Sequence, residues 1–488
     1  MIAQQEPGIW NRIQGFLYSY DGAETSKRRK SPAQRIKSPD DGLTASKRRQ
    51  LQANTRDLQK NFSVAAWAIR RHLDYVSAVN FEANSGDDGF DRELEDFYAE
   101  WSRAGNCDVA GRHNLQRMVR LAEARRTVDG DVFFVLMSSG HVQAIESDRV
   151  RNPYNIETKE ADQWRHGVRT SIGGRLREIA VHKRLVDGSY EHERNIRARN
   201  VIQLGYYDEF DQRRGVSPMA SAVNAFKDLS ENFEFALAKA KLSQLFAVAM
   251  YLSDDSPLKE DDDGSEMGLG NQVRMFDGGP DDKIEVVESR NPSSEFQAFQ
   301  QLVTESALKS LDIPFSFHSE NYSTFYGSRA SHLEYIKACK SKREDIAEFL
   351  ERLFRWRIAV ALRDRELKLP RSLALRDVQL EWIPAGVPWW RPLEETKADQ
   401  LAVEAKFKTR SQICRERLGK SFREVVDRLA EEEEYMRSKG LTVTVTDPSQ
   451  QQPQQQADSE DTEEDDDDDD QDEVVEDQDD NENGDDDD

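Results

Sequence analysis

The apolar positions of the chain change their period several times, and each change predicts a different kind of element. Between residues 48 and 79, and again between 90 and 101, they recur every three or four positions, which predicts helices with one buried face. The period then shortens in segments that are rich in β-branched and aromatic residues and bounded by glycine turns, which predicts strands. These segments are 131–138, 141–146 and 177–186. We therefore predict an α+β domain over 51–216.

A long helix is predicted from Ser217 onwards. Serine is a favoured N-cap residue, and Pro218 suits the first helical position, whose N–H has no partner within a helix. We place this helix at 217–251. A small β module at 252–293 follows, with an acidic, glycine-rich stretch and the strand signals QVRMF and KIEVVE, and then a second helix at 294–314. This order predicts two helices that project from the domain and carry the small β module at their far end.

The polar segment 315–328, FSFHSENYSTFYGS, separates two helical patterns, and we predict a loop there. The region after it, 329–392, begins with a helical stripe that reaches residue 362, long enough for a helix of roughly 50 Å. The strand pattern VQLEWIP follows. Residues 393–445 are helical in pattern and rich in Glu, Lys and Arg pairs, which predicts a separate helical cap.

The charge of the 488-residue chain is unevenly distributed. The formal net charge is −25, but residues 458–488 contain 22 of the 93 acidic residues and no lysine or arginine. The rest of the chain, with 71 acidic and 68 basic residues, has a net charge of −3. A segment with so much like charge and so little apolar surface cannot offset its ordering entropy, so 446–488 is predicted to be disordered. It is either a solubilising brush or a segment that docks a partner or repels DNA.

The N-terminal region, residues 1–50, combines a short amphipathic start with a loose basic linker in which SKRR occurs twice. The linker fits nucleic-acid contact and simple solvation equally well. The N-terminus lacks the form of a signal peptide, and the longest apolar run is far shorter than the roughly 20 residues of a membrane span. Neither export nor membrane insertion is expected.

The sequence offers little that indicates catalysis. His318 lies near Ser316 and Ser319, but no serine there stands in a Gly-x-Ser-x-Gly context. The GKS tripeptide at 419–421 resembles the end of a phosphate-binding loop, but Cys414 occupies the position of the first required glycine.

Metal and cofactor binding are not expected, because the three cysteines and eight histidines are scattered. One alternative function is kept. In it the protein is a metal-dependent nucleic-acid-processing enzyme, with Asp129 and Asp131 placed around the metal.

Several motifs follow one another along the chain. They are ANTRDLQKN (53–61), WSRAGNCDVAGRHNLQ (101–116), DGDVFF (129–134), VQAIESDRVRNP (142–153), RRGVSPMASAVNAFKDLSENFEFALAKAK (213–241), NPSSEFQAFQQ (291–301), SLDIPF (310–315), NYSTFYGSRA (321–330) and the helical run 392–441. In this order they resemble the lambda-type portal proteins of tailed bacteriophages.

The resemblance implies the portal fold, an α+β ring subunit with a wing (51–216), a helical stem (217–251 and 294–314), a small β clip (252–293) and a helical crown (393–445). It implies a homo-oligomeric ring, commonly of about twelve subunits, at a capsid vertex of the virion, assembled in the host cytoplasm. The implied partners are double-stranded DNA, the terminase large subunit, the major capsid or scaffold protein, and head-completion or neck proteins. No membrane, cofactor or enzymatic activity is implied.

The polar segment 315–328 then becomes a candidate channel loop. Its candidate DNA-facing residues are Ser316, His318, Ser319, Asn321, Tyr322, Ser323, Tyr326 and Arg329. Lys337 and Lys340 lie near the helix face of Arg329, where they either contact phosphates or form salt bridges to a neighbouring subunit. Weak contact is expected, because tight DNA binding needs a basic surface, which a body of net charge −3 lacks.

The acidic stretch of the clip is the candidate terminase-facing surface. Its candidate residues are Asp254, Asp255, Asp261, Asp262 and Asp263.

Overall fold

The computed structural model describes residues 38–153, 163–243, 248–251, 283–286, 294–319 and 325–441. The described residues belong to two compact units, one ending at Val425 and one beginning at Val426. Their helices are Pro39–Gly42, Ala45–Asn61, Ser63–Val76, Asp88–Trp101, Ala104–Cys107, Leu115–Asp129, Val223–Ser243, Ser294–Leu308, Phe315–Ser319, Phe325–Asp364, Pro392–Glu404, Arg410–Ile413 and Phe422–Ser438.

The strands of the described residues are β1 Val79–Asn84, β2 Asp131–Leu136, β3 Val142–Glu146, β4 Trp164–Arg165, β5 Val168–Thr170, β6 Leu176–Arg184, β7 Tyr190–Arg197, β8 Val201–Gly205, β9 Val248–Tyr251, β10 Lys283–Val286 and β11 Gln379–Pro384. They form four antiparallel sheets, ordered β3-β2-β8, β4-β5-β6-β7, β1-β11 and β9-β10. The predicted strands near 131–138, 141–146 and 177–186 correspond to β2, β3 and β6.

Strand β2 lies in the middle of its sheet, and all six of its residues are buried. Phe133 and Val135 belong to a small core shared with the four-stranded sheet, while Phe134 and Leu136 belong to the main helical core. Because side chains alternate between the two faces of a strand, a strand covered on both faces needs apolar residues throughout. This explains the uninterrupted apolar run VFFVL.

The helix Phe325–Asp364, called here the long helix, contributes its second half to the main core. Phe354 is fully buried, and its ring lies 5.0 Å from Phe81, 5.1 Å from Tyr98 and 5.9 Å from Trp101. The predicted stripe on this helix is largely buried, including Ile346. Aromatic rings at these separations add to the stability that burial itself provides.

The predicted helix start at Ser217 is confirmed, but the helix is shorter than predicted. The Ser217 hydroxyl accepts a hydrogen bond from the Met219 amide at 3.2 Å, and a 3-10 turn leads into the helix Val223–Ser243. Residues 248–251, predicted as the end of this helix, form β9 and pair with β10. The short run VAMY is hydrogen-bonded to KIEV across the ladder, which local helical propensity cannot anticipate. The strand signal QVRMF lies outside the described residues.

The bounds predicted for the loop, 315–328, are wrong at both ends. Phe315–Ser319 is a short helix, and the long helix begins at Phe325, before the predicted start at residue 329. The segment is less polar than the count of its hydroxyl groups suggests, because Phe315 and Phe317 pack against the main core. Packing of these rings favours the short helix Phe315–Ser319 over an extended loop there.

Two further boundaries differ from the prediction. The second SKRR run lies in the first turn of the helix Ala45–Asn61, where Arg48 is buried, so it is not a loose linker. The C-terminal region is not helical throughout, because Lys406 and Gly419 adopt left-handed backbone angles that end the helices before them. Across the residues with assigned structure, no helix has the length and apolar character needed to cross a membrane.

Candidate functional site

The first part of the candidate channel segment is anchored by aromatic contacts. The ring of Phe317 lies 5.5 Å from Tyr335 and 6.0 Å from Tyr75, and the ring of His318 packs edge-on against Trp67 at 5.6 Å. Tyr75 and Trp67 belong to the helix Ser63–Val76. These contacts attach the short helix Phe315–Ser319 to the α+β domain.

The predicted DNA-facing side chains of this segment have different environments. Ser316 is half-buried, and its hydroxyl has no hydrogen-bond partner among the residues described. His318 and Ser319 are exposed, and Tyr326, in the first turn of the long helix, is 78% exposed. Asn321, Tyr322 and Ser323 lie outside the described residues. Among the described members of the predicted set, His318, Ser319 and Tyr326 face solvent, whereas Ser316 is half-buried beside Phe315 and Phe317, which pack against the main core.

Arg329, predicted as a DNA-facing residue at the end of the channel segment, lies in the long helix and forms an ion pair. Its guanidinium lies 3.0 Å from the Glu395 carboxylate, whose side chain is 8% exposed. Arg417 contacts the same carboxylate at 3.1 Å. Arg417 also donates from Nε to Asp399 at 3.1 Å. We call Glu395 and Asp399 the acid pair.

The acid pair links the long helix to the segment that precedes the helix Pro392–Glu404. Trp389 donates its indole N–H to Asp399 at 3.2 Å, and the Trp390 amide donates to Glu395 at 3.2 Å. One turn after Arg329, the His332 ring lies 5.5 Å from the Trp390 ring, and burial lowers the pKa of His332. The start of the long helix is thus held on two sides, by the Ser63–Val76 helix and by the acid pair.

The two lysines proposed to lie near the helix face of Arg329 are exposed. Lys337 and Lys340 both lie on the solvent-exposed side of the long helix. The Lys340 ammonium lies 3.9 Å from the carboxylate of Glu344, one turn further along. An exposed pair of this kind contributes little to stability. Both side chains can therefore take part in contacts outside the subunit.

Asp131, one candidate ligand of the alternative metal site, is saturated by arginine and amide donors. Arg214 donates to both carboxylate oxygens, at 2.6 and 2.9 Å, and the Gly215 amide donates at 3.0 Å. Arg48 approaches at 3.5 Å. Burial alone would raise the pKa of Asp131, but the charges of Arg214 and Arg48 outweigh it and hold the pKa at about 2.

Asp129, the other candidate ligand, is engaged in the same way. Arg56 donates to its two oxygens at 2.6 and 2.7 Å and reaches Asp148 at 2.8 Å. Burial raises the pKa of Asp129 even beside Arg56. Within the described ranges, no group of three or more His, Cys, Asp or Glu side chains is placed to hold a metal ion. The arginines occupy the carboxylate oxygens that a metal would need, which contradicts the alternative enzyme site.

These contacts bring together motifs that are far apart in the sequence. Arg56 of ANTRDLQKN pairs with Asp129 of DGDVFF, and Arg214 of RRGVSP pairs with Asp131 of the same motif. Together with Ser147 of VQAIESDRVRNP, we call these residues the arginine–aspartate network. Ser147 donates to Asp131 and accepts from Arg214 at 2.8 Å. The motifs are visible in the sequence but the contact between them is not; the one available signal was an aspartate on either side of a glycine, directly before the uninterrupted apolar run VFFVL.

Two glycines allow the network to close. Gly130 has a φ of 96°, in the left-handed region, and a Cβ on Gly215 would overlap the Gly130 carbonyl. A side chain at either position would separate the two backbone segments. The glycines of DGD and RRG are therefore required for the close approach of β2 and the turn before Ser217.

A second buried cluster ties the α+β domain to the long helix. Glu123 is fully buried and accepts hydrogen bonds from Tyr206 at 2.6 Å and from His72 at 2.9 Å. Arg126 pairs with Glu123 and reaches Asp345 on the long helix at 2.9 Å. Burial would raise the pKa of Glu123, but Arg126 and the hydrogen-bond donors lower it to about 2.

Comparison with known proteins agrees with the resemblance that the motifs indicate. Residues 25–343 match the family described as phage portal protein, lambda family. A probable portal protein of Halomonas phage phiHAP-1 is 23% identical over 382 residues, which cover 71% of this chain and 71% of that protein.

Solved structures with some similarity come from gene transfer agent (GTA) particles. A chain of the virion of the native GTA particle is 12% identical with a TM-score of 0.42, covering 76% of this chain and 98% of that chain. A chain from the neck of the empty GTA particle, computed with C6 symmetry, is 13% identical with a TM-score of 0.45, covering 74% and 92% of the two chains.

Proposed function

Because the chain belongs to the lambda family of phage portal proteins, we propose that it forms a closed ring of about twelve identical subunits at one capsid vertex. Double-stranded DNA would enter and leave the particle through the centre of this ring. The observation that carries the proposal is the family match over residues 25–343, together with motifs that form one buried network rather than a catalytic site.

Unburied apolar side chains on two helices support the ring. The helices Val223–Ser243 and Ser294–Leu308 pack against each other, yet five of their large apolar side chains are more than half exposed. These side chains, called here the stem surface, are Phe233, Phe235, Leu237, Phe299 and Leu302. Several large apolar side chains left exposed on two packed helices are consistent with an interface, in which a second copy of the chain would cover them.

The contacts of the long helix support a channel surface with a weak hold on DNA. Arg329 is neutralised by the acid pair, so its charge is not available to bind phosphate strongly. Tyr326, Lys337 and Lys340 are exposed on the same helix. We propose that this helix start, with residues 319–324 before it, faces the DNA path. Such a surface would let DNA slide while a separate motor supplies force.

Other partners follow from the family alone. We propose that terminase docks on the clip, where Asp254, Asp255, Asp261, Asp262 and Asp263 lie outside the described residues. The capsid or scaffold protein and the neck proteins would contact other parts of the ring. The acidic tail 446–488 also lies outside the described residues, and its two proposed roles both remain compatible with a ring.

Native mass spectrometry with negative-stain microscopy tests the proposal. We expect a ring of several hundred kilodaltons with a central opening, since one chain has a mass of 56.1 kDa. A stable monomer at micromolar concentration would contradict it.

A deletion tests the channel surface separately. Removing Ser319 to Tyr326 should leave rings intact, because the apolar contacts of Phe315 and Phe317 remain. The packaged genome length, or its retention in filled particles, should decrease. Packaging and retention at the level of the unaltered chain would show that this segment is only a connector.

A further inference from the structure

A cavity of about 270 Å³ lies at the edge of the arginine–aspartate network. It opens between the first two turns of the helix Ala45–Asn61 and the segment 147–152. Cationic or potentially cationic side chains contribute much of its lining, namely Arg48, Arg49, Arg151 and His166. The portal function proposed above does not use this cavity.

The one acidic side chain among the described residues that line the cavity is already neutralised. Asp148 accepts hydrogen bonds from Arg56 at 2.8 Å, from Arg184 Nε at 2.7 Å and from Tyr190 at 2.6 Å. All these donors approach its carboxylate oxygens, so little negative charge remains to balance the arginines of the lining. The cavity therefore has an excess of positive charge.

Arg48 shows the excess of positive charge most clearly. It is 6% exposed, and its hydrogen bonds, to the Gly215 carbonyl at 2.6 Å and to Asp131 at 3.5 Å, both come from Nη2. Its Nε is buried and has no hydrogen-bond partner within the described part of the chain. Burial and the nearby charge of Arg214 lower the pKa of Arg48 to about 10. A buried guanidinium with unused donors favours an anion beside it.

Arg151 is fixed on the opposite side of the cavity. Its Nε donates to the Asp148 carbonyl at 2.7 Å, and its guanidinium carbon lies 3.2 Å from the centre of the Tyr190 ring. Burial, and the charge of Arg49 across the cavity, lower the pKa of Arg151. Two arginines held near each other repel, and an anion between them would remove the repulsion.

The backbone at the start of the Ala45–Asn61 helix adds to the positive electrostatic potential in the cavity. Ala45, the first residue of the 17-residue helix Ala45–Asn61, also lines the cavity. Unpaired amide groups and the helix dipole make a helix N-terminus favourable for an anion. The dipole alone would not define a site, but here it acts together with the fixed guanidinium groups of Arg48 and Arg151.

We propose that this cavity binds a phosphate ion, held by Arg48, Arg49 and Arg151 beside the first turn of the Ala45–Asn61 helix. Guanidinium groups match the geometry of phosphate oxygens. The volume of about 270 Å³ is below the roughly 300–1,000 Å³ of pockets that accept larger organic ligands, which favours the ion over a nucleotide. The ion would join the 45–61 helix to the 147–152 segment and stabilise the α+β domain.

Isothermal titration calorimetry of the full chain with inorganic phosphate, at constant ionic strength set by chloride, tests the site. We expect saturable binding, together with a higher midpoint of thermal unfolding in phosphate than in chloride. Arg49→Gln and Arg151→Gln should each weaken binding by about tenfold, the effect of losing one charge-assisted contact. Arg48 is left unchanged because it also holds Asp131 and the Gly215 carbonyl.

The control is Arg177→Gln, an exposed arginine of β6 outside the cavity lining, which should bind phosphate like the original chain. Equal weakening by Arg177→Gln and Arg49→Gln would show a general charge effect and overturn the proposal. Undetectable phosphate binding by the original chain would do the same. Adenosine monophosphate should bind no more tightly than phosphate; tenfold tighter binding would show that the site is for a nucleotide instead.

Discussion

The arginine–aspartate network and the stem surface depart from the usual pattern of burial in opposite directions. In the network, Asp131 and Arg214 are charged yet almost completely buried; in the stem surface, Phe235 and Leu302 are apolar yet 71% and 63% exposed. Buried charges and groups of exposed large apolar side chains are more informative than buried apolar or exposed polar residues. The network completes its contacts within one subunit, whereas the stem surface leaves its contacts to be completed by another chain.

The two regions should therefore respond differently to mutation. A buried ion pair is costly to desolvate, and removing one partner leaves the other charge buried without compensation. Removing a largely exposed apolar side chain changes the stability of the single subunit little, because most of its surface contacts no other part of that subunit. The network should control folding, and the stem surface should control assembly.

The largest effect on the subunit is expected from Asp131→Ala. This change leaves Arg214 and Arg48 buried without their shared carboxylate, so the free energy of unfolding should fall by about 3–5 kcal/mol. Urea denaturation followed by circular dichroism measures it. The control Asp187→Ala, at an exposed turn, should change the unfolding free energy by less than about 0.5 kcal/mol. Similar small losses for both variants would mean that the network does not control folding.

Acid should reduce the contribution of the buried carboxylates to the stability of the protein, without any mutation. The pKa values of Glu123 and Asp131 are both held at about 2 in the folded protein, below their ordinary values near 4. A lowered folded pKa stabilises the protein above the unfolded pKa, and this stability is lost as the pH falls towards 2. Each group should contribute roughly 2–3 kcal/mol at neutral pH. Denaturation curves between pH 7 and pH 2 measure the loss.

A Glu123→Gln variant separates the carboxylate from the general effect of acid. It should be less stable than the original chain at pH 7, and the difference should shrink as the pH falls below about 4. A difference that stays constant down to pH 2 would contradict the lowered pKa of Glu123.

An intermediate effect is expected at the acid pair. Arg329→Gln removes an ion pair whose arginine is 39% exposed, while Arg417 still neutralises Glu395, so the loss of stability should be about 1 kcal/mol or less. A double-mutant cycle with Glu395→Gln should give a coupling energy of about 0.5–1 kcal/mol. A coupling near zero would show that this contact does not hold the start of the long helix.

The smallest effect on the subunit, with a large effect on assembly, is expected at the stem surface. The double change Phe299→Ser and Leu302→Ser should alter the unfolding free energy of the subunit by about 0.5 kcal/mol or less, because both side chains are more than half exposed. Ring formation in native mass spectrometry should be lost. Val186→Ser, at an exposed hairpin tip outside the stem surface, is the matched control and should assemble normally. Normal rings from the double variant would remove the stem surface from the interface.

The sequence determined the elements whose side chains repeat with a clear period. Strand β2 follows from its apolar run, the helix Asp88–Trp101 from its 4, 3, 4 spacing, and the helix start after Ser217 from its cap. Each of these features depends on residues within one or two turns of each other, so local patterns are sufficient. The family motifs were also visible, because they are contiguous runs in a fixed order.

Only the tertiary structure decided which of these residues meet. Arg214 and Asp131 are 83 positions apart, and nothing in either motif names the other as its partner. In the same way, nothing in the sequence around Arg329 indicates that folding places Glu395 beside it, and only packing shows that Phe317 is held against Tyr335. A periodic pattern specifies which face of an element is buried, but packing between distant elements selects the partner, and the partner decides whether a charge is neutralised or available.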